Sequence, residues 1–273
     1  MMTWLEQIRS YHPDIGVVFY GNWLPVELAN LPRRGFINYH PSPLPELRGL
    51  EPDTFAILEG RTRMWGTVHR ISPGYDEGTI LGKTRVMHLT PHDTPVRVLS
   101  ELSRLGIDTI VETLDRLASN KGHERIQNNA KATDASRTRA YAESFVRWDK
   151  DDSITLYRRL RAFAGQDIGI RLKGRVDKRL LYIDDLAILK GRFPGRPGET
   201  IGRYPGPGRF RAQPIVRTAD GIVVVRPGGT VRIRKDRPAC SRPDGSPPVV
   251  IPPLARPSGI VRHHVMTGIY RIR

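Results

Sequence analysis

The chain has 273 residues, of which 38% are hydrophobic and 26% charged, a balance that suits a globular protein of two domains or one large one. No stretch approaches the roughly 18 consecutive apolar residues of a membrane span, and the N-terminus lacks the layout of a secretory signal, so an intracellular, cytoplasmic location is expected. The single cysteine, Cys240, excludes an internal disulfide and a cysteine-based zinc site.

Charge divides the chain unevenly. Residues 1–150 carry 19 Lys+Arg against 18 Asp+Glu, whereas residues 151–273 carry 25 against 10, so nearly all of the net +16 lies in the second half. Such an excess calls for an anionic partner, with RNA the leading candidate.

In chain order, "WLEQIRSYHP" reads as a short helix stopped by Pro13, and "DIGVVFYG" as a buried, continuously apolar strand. A helical turn over "PVELANLP" leads to the strand "GFINYH", and "EPDTFAILEG" reads as a helix opened by acids and closed by Gly60. This alternation predicts an α/β layer with a mainly parallel sheet. "MWGTVHRIS" and "GTILGKTRVMHL" follow as strands joined by the turn "PGYDEG". The spacing predicts a long helix from Pro95 to Ser119, capped by Thr94, with Leu99, Leu102, Leu105, Ile107, Ile110, Val111, Leu114 and Leu117 inward.

A polar connector leads to "DSITLYRRLRAF", a basic amphipathic helix with an Asp/Ser cap and Ile154, Leu156, Leu160 and Phe163 inward. Short strands then predominate, with "ADG" (219–221) and "PGG" (227–229) as hairpin turns, which predicts a small antiparallel barrel or sandwich. The proline-rich end reads as an extended tail. The domain layout expected is 1–135, a linker at 136–150, a basic domain at 151–240 and the tail at 241–273.

One stretch stands apart. In "FINYHPSPLPELRG", Asn38 and His40 fall on one face at a strand end, roughly 7 Å apart, and three prolines brace the loop that follows. Asn38-x-His40-x-Ser42-x-Leu44-Pro45-x-x-Arg48-Gly49, followed by "GTVHRI" and "YDEGTIL", resembles the folate-dependent formyltransferase family, continuously from about residue 4 to 120. "VVFYGNWLP" is similar to the family's strand and Leu-Pro turn beside the folate pocket. Residues past 150 resemble, more weakly, the C-terminal domain of the family's tRNA-acting branch.

The resemblance implies an incomplete Rossmann-like α/β domain followed by a small antiparallel β-barrel of OB type that helps hold tRNA. It implies transfer of a formyl group from 10-formyltetrahydrofolate to a primary amine, first the methionyl amine of initiator tRNA. Two alternatives stay open: an amino-sugar nucleotide as acceptor, which "HPSPLP" fits as readily, and a non-catalytic homologue that binds RNA. By resemblance Asn38, His40 and Asp76 form the catalytic triad. Tyr20, Gly21, Trp23, Leu24, Pro25, Ser42, Pro43, Leu44 and Pro45 would shape the folate pocket, and no metal is implied. Asn38 can donate to a developing oxyanion, and His40 and Asp76 can manage the protons. Arg48 would bind substrate or pair with Glu46 or Glu51. The family's opening βα units have no counterpart before "DIGVVFYG", which leaves that strand with an apolar edge open to self-association unless something covers it.

Overall fold

The computed structural model describes residues 3–19, 24–163, 170–189, 194–230 and 266–270. Helix α1 (Trp4–Ser10) starts at a capping box in which Thr3 and Glu6 satisfy each other's backbone N–H groups. Strand β1 (Ile15–Phe19), helix α2 (Val26–Ala29) and strand β2 (Phe36–His40) follow, and every residue of both strands is buried. Next come α3 (Pro52–Leu58), β3 (Arg63–Met64), β4 (Thr67–Arg70), β5 (Ile80–Lys83), β6 (Met87–His88) and α4 (Pro95–Ala118). The second half holds α5 (Arg137–Glu143), α6 (Ser153–Phe163), β7 (Lys173–Val176), β8 (Arg179–Leu189), β9 (Thr200–Arg203), β10 (Pro214–Arg217) and β11 (Ile222–Thr230), and β12 (Met266–Tyr270) lies near the chain end.

The main sheet has the order β12-β1-β2-β4-β5. Only β1–β2 is parallel; the other three pairings are antiparallel, which corrects the expectation of a mainly parallel sheet. Between β2 and β4 the chain passes through α3, which packs against α4 and α6, while β4 and β5 follow one another with no helix between them. The apolar edge of β1 is filled within the chain, because β12 pairs antiparallel along all of it, from Ile15↔Tyr270 to Phe19↔Met266. The predicted tail therefore contains a strand.

Thr94 caps α4 as expected, its hydroxyl accepting the Arg97 N–H. The inward face differs from the leucine pattern, since Ile107 and Val111 are half exposed while Gly106, Thr109 and Thr113 are buried. Tyr39 explains the shift: a Cβ at Gly106 would lie 2.5 Å from its ring, so only glycine lets the helix approach. The two threonines can face inward because their hydroxyls donate to the carbonyls of Leu105 and Thr109.

The second sheet, β7-β8-β11-β10-β9, is antiparallel throughout. It is open: among the described residues no ladder joins β7 to β9, whose ends meet only where Asp177 N–H donates to the Gly198 carbonyl and Thr200 N–H to the Asp177 carboxylate. Among the described residues the sheet does not close into the expected OB-type barrel. "ADG" makes the β10–β11 hairpin, with Thr218 and Gly221 bonded to each other. "PGG" does not turn; it stays in β11, whose ladder with β8 runs on to Thr230 through two register shifts.

Among the described residues, two apolar clusters form the core. One joins Ile15, Ile37, Tyr39, Val68, Leu81 and Ile110 beneath the main sheet. The other runs from Phe55 and Leu102 through Leu156 and Leu160 to Val223 and Val225, so both halves share a core. Trp148, within the expected linker, is part of it. Asp152 caps α6 by accepting the Thr155 N–H, while Ile154 is half exposed. No helix among the described residues is long and apolar enough to cross a membrane.

Candidate active site

Strand alternation puts Asn38 and His40 on one face of β2, and the antiparallel register of β4 sets His69 directly opposite Asn38. The β4–β5 loop then brings in Asp76, whose backbone is left-handed at φ +53°, a strained conformation for a residue with a Cβ. Its carboxylate stands between two imidazoles. Oδ2 is 3.6 Å from His40 Nδ1 and accepts the Gly49 N–H at 3.0 Å, and Oδ1 is 3.5 Å from His69 Nε2.

A buried amide fixes that loop from behind. Gln127 Nε2 donates to the carbonyls of Asp76 and Gly78 at 2.8 and 2.7 Å, while its Oε1 accepts from Arg48 at 2.7 Å. Arg48 also donates to Asn129 and pairs with Glu77. It braces the loop, and its suggested partners Glu46 and Glu51 pair instead with Arg61 and Arg137.

Both histidines have one nitrogen committed to backbone. His40 Nε2 donates to the Leu47 carbonyl at 2.9 Å, which turns Nδ1 toward Asp76. His69 Nδ1 donates to the Arg70 carbonyl at 2.7 Å, which turns Nε2 toward Asp76 and toward Asn38 Nδ2, 3.2 Å away. The other amide atom, Asn38 Oδ1, is buried with no hydrogen-bond partner among the described residues. Such an atom is costly to leave unfilled.

Burial opposes the charge on Asp76, but attraction to His40 and His69, together with the bond from Gly49, outweighs it and holds the carboxyl well below the usual carboxylate range. Burial also pushes His40 below its ordinary value, against the pull of Asp76. At neutral pH the arrangement is an ionised carboxylate facing the open nitrogen of a neutral imidazole. A proton arriving at His40 Nδ1 would be stabilised at once by Asp76.

A cavity of about 610 Å³ opens beside this group, with Leu24, Phe36, Asn38, His69, Tyr75 and Asp76 in its wall. The structure thus brings Leu24, Asn38 and Asp76 to one cavity, and His40 meets Asp76 without lining it. Ser42, Pro43 and Leu44 are buried, Pro45 partly so, and none lines the cavity. The Ser42 hydroxyl donates to the Glu46 carbonyl at 2.8 Å and shapes its own loop. Pro25 opens α2, and Tyr20, Gly21 and Trp23 lie outside the described residues.

His69 was not singled out in the sequence, although "GTVHRI" carried it. Gln127, in the polar connector, gave no signal.

The family model described as "Formyl transferase" matches residues 3–114, the segment that holds Asn38, His40, His69 and Asp76. That segment belongs to the formyl transferase family. The methionyl-tRNA formyltransferase of Legionella pneumophila (strain Paris) is 30% identical over 192 residues, covering 70% of this chain and 60% of its own length. The protein of the same name from Chloroflexus aggregans is 39% identical over 130 residues, covering 47% and 42%. The chain therefore spans 60% or less of the length of these two curated relatives.

Among solved structures, HypX from Aquifex aeolicus in complex with tetrahydrofolic acid superposes with a TM-score of 0.57 at 18% identity, covering 81% of this chain and 36% of that one. A sugar N-formyltransferase from Shewanella sp FDAARGOS_354 gives 0.54 at 21%, covering 70% and 74%. At these identities the likeness is one of fold.

Proposed function

We propose that this chain transfers a formyl group from 10-formyltetrahydrofolate to a primary amine, first the methionyl amine of initiator methionyl-tRNA. The observation that carries the reading is the ionised Asp76 held between His40 and His69 at the wall of the cavity. The family of residues 3–114 supports the reaction class, and the names of the curated relatives support the acceptor. The 25 basic against 10 acidic residues of the second half fit an RNA better than a small nucleotide.

Leu24, Phe36 and Tyr75 offer apolar surface to a flat ring system. Bound there, the folate would supply the formyl carbon on its N10. Asn38 stands in the same wall, and its Oδ1, buried and unpartnered among the described residues, would accept the N–H of an incoming amine once the amide turns toward the cavity. His40 Nδ1 takes the proton that the amine loses as the new bond to the formyl carbon forms, Asp76 stabilises the imidazolium, and the same proton passes to N10 as the bond between N10 and the formyl carbon breaks, so that tetrahydrofolate leaves neutral.

The Asn38–His69 contact adds a switch. When the amine's proton is passed from His40 by way of Asp76 to His69 Nε2 before it reaches N10, the amide turns over, its oxygen accepts that N–H, and its NH₂ is released to donate to the formyl oxygen as charge develops there. A donor so placed is worth about 3–4 kcal/mol.

The test is formyl transfer to charged initiator tRNA and, in parallel, to an amino-sugar nucleotide. His40→Ala and Asp76→Asn should each lower kcat by roughly 10²–10³-fold while folate binding persists. Transfer to the sugar alone would replace the acceptor. No transfer to either amine from a folded, folate-binding chain would overturn the reaction and leave the RNA-binding alternative.

A further inference from the structure

Helix α6 carries Arg158, Arg159 and Arg161, and the fold treats them differently. Arg159 is neutralised by Glu143 at 2.7 Å and Asp151 at 3.3 Å. Arg161 is only 8% exposed, yet among the described residues its Nη2 has no hydrogen-bond partner and no carboxylate pairs with it; its guanidinium lies 5.4 Å from the ring of Tyr157. Among the described residues Arg158 has no ion pair either. Its guanidinium lies over Gly60, where a Cβ would approach Cζ to 2.5 Å, so a glycine makes its seat.

Both arginines line a cavity of about 490 Å³ between the end of α3, the segment after β6, α6 and β8. Ile57, Leu89, Ile154 and Ile188 form apolar wall, and among the described residues no Asp or Glu lines it. A buried cation without a counter-charge is unfavourable, and burial pushes Arg161 below its ordinary value. The last turn of α6 favours a cation through the helix dipole, which offsets part of that cost for Arg161. The dipole does not account for a second free guanidinium on the same apolar cavity.

We propose that this junction binds a small amphipathic carboxylate, its head at Arg158 and Arg161 and its apolar body against Ile57, Leu89, Ile154 and Ile188. Guanidinium and carboxylate match in geometry, and the walls suit a hydrocarbon chain. An occupant would touch α3 and the segment after β6 on one side, and α6 and β8 on the other, so it would fasten the two halves. The site is separate from the cavity beside Asp76 and does not depend on formyl transfer.

The experiment is a titration of the full chain with octanoate, read by calorimetry and by thermal unfolding. Octanoate should bind saturably and raise Tm. Arg161→Met should weaken binding at least tenfold while leaving the unliganded Tm unchanged or higher, because it removes an unpaired charge. Should that variant fail to fold, Ile188→Trp decides the matter: it fills the wall at a partly exposed position and should block binding with both arginines intact. Inorganic phosphate, which has the charge without the chain, should bind at least tenfold more weakly than octanoate. No saturable response to octanoate, an undiminished response in a folded variant, or phosphate as strong as octanoate would overturn the proposal.

Discussion

Beside the end of β2, Asp76 of the β4–β5 loop is shared by two imidazoles and a backbone N–H, whereas on α6 Arg159 is held by two carboxylates and Arg161, two residues on, by none among the described residues. Burial is similar in the two places, with His40 at 5% exposure, Arg159 at 3% and Arg161 at 8%. The partners differ in kind. Imidazoles exchange protons near neutral pH, so the charge around Asp76 can move during a reaction. Guanidinium and carboxylate keep their charges, so the pairs around Arg159 act as fixed structure. Buried charge serves chemistry in one region and cohesion in the other.

Breaking the cohesive side should give the largest effect on stability. Arg159→Ala strands Asp151, itself 3% exposed, without its guanidinium, and leaves the Glu143 carbonyl without its donor. Loss of one partner of a buried pair costs about 3–5 kcal/mol. Urea unfolding should show that loss; a change below about 1 kcal/mol would mean that solvent or Arg147, which also reaches Asp151, replaces the pair.

Asp53 sharpens the comparison as a buried charge of a third kind. It is 8% exposed in the first turn of α3, and burial, reinforced by nearby Glu51, pushes its carboxyl up to about 7. The unfolded chain releases this proton near 3.8, whereas the folded chain keeps it to about 7. Between those values the folded state binds more protons, so this group's contribution is fully present below the lower value and is lost as pH rises to the upper one. Asp53→Asn should therefore be more stable than the parent at pH 8 by roughly 2–4 kcal/mol, with a much smaller difference at pH 4. Equal stabilities at pH 8 would show that the carboxylate is accommodated without penalty.

The sequence revealed what local spacing controls. Asn38 and His40 share a face because strands alternate, and Thr94 caps α4 because a threonine precedes a proline and a helical pattern. Elements that depend on distant pairing stayed hidden. His69 joins the site only through the Asn38↔His69 register of β4 on β2, and β12 reaches β1 from the far end of the chain. "PGG" has turn chemistry, but the ladder with β8 overrides it. Ile107 and Val111 face outward because Tyr39 demands a glycine beside it. Three arginines on α6 look alike in sequence, and only the positions of Glu143 and Asp151 separate them.

The proton-exchanging side can be separated from the fixed one at His69. Its Nδ1 is occupied by the Arg70 carbonyl and its Nε2 faces both Asn38 and Asp76, so it links the amide to the carboxylate without touching His40's bond to Leu47. Glutamine fits a similar space and can still offer an acceptor to Asn38 Nδ2, but it cannot take a proton. His69→Gln should therefore preserve the fold and the KM for folate while kcat falls roughly ten- to hundredfold, less than for His40→Ala. A rise in KM with kcat unchanged would place His69 in binding. Unchanged kcat and KM would reduce the Asn38–His69 pair to packing, and the unfilled Asn38 oxygen would have to act without it.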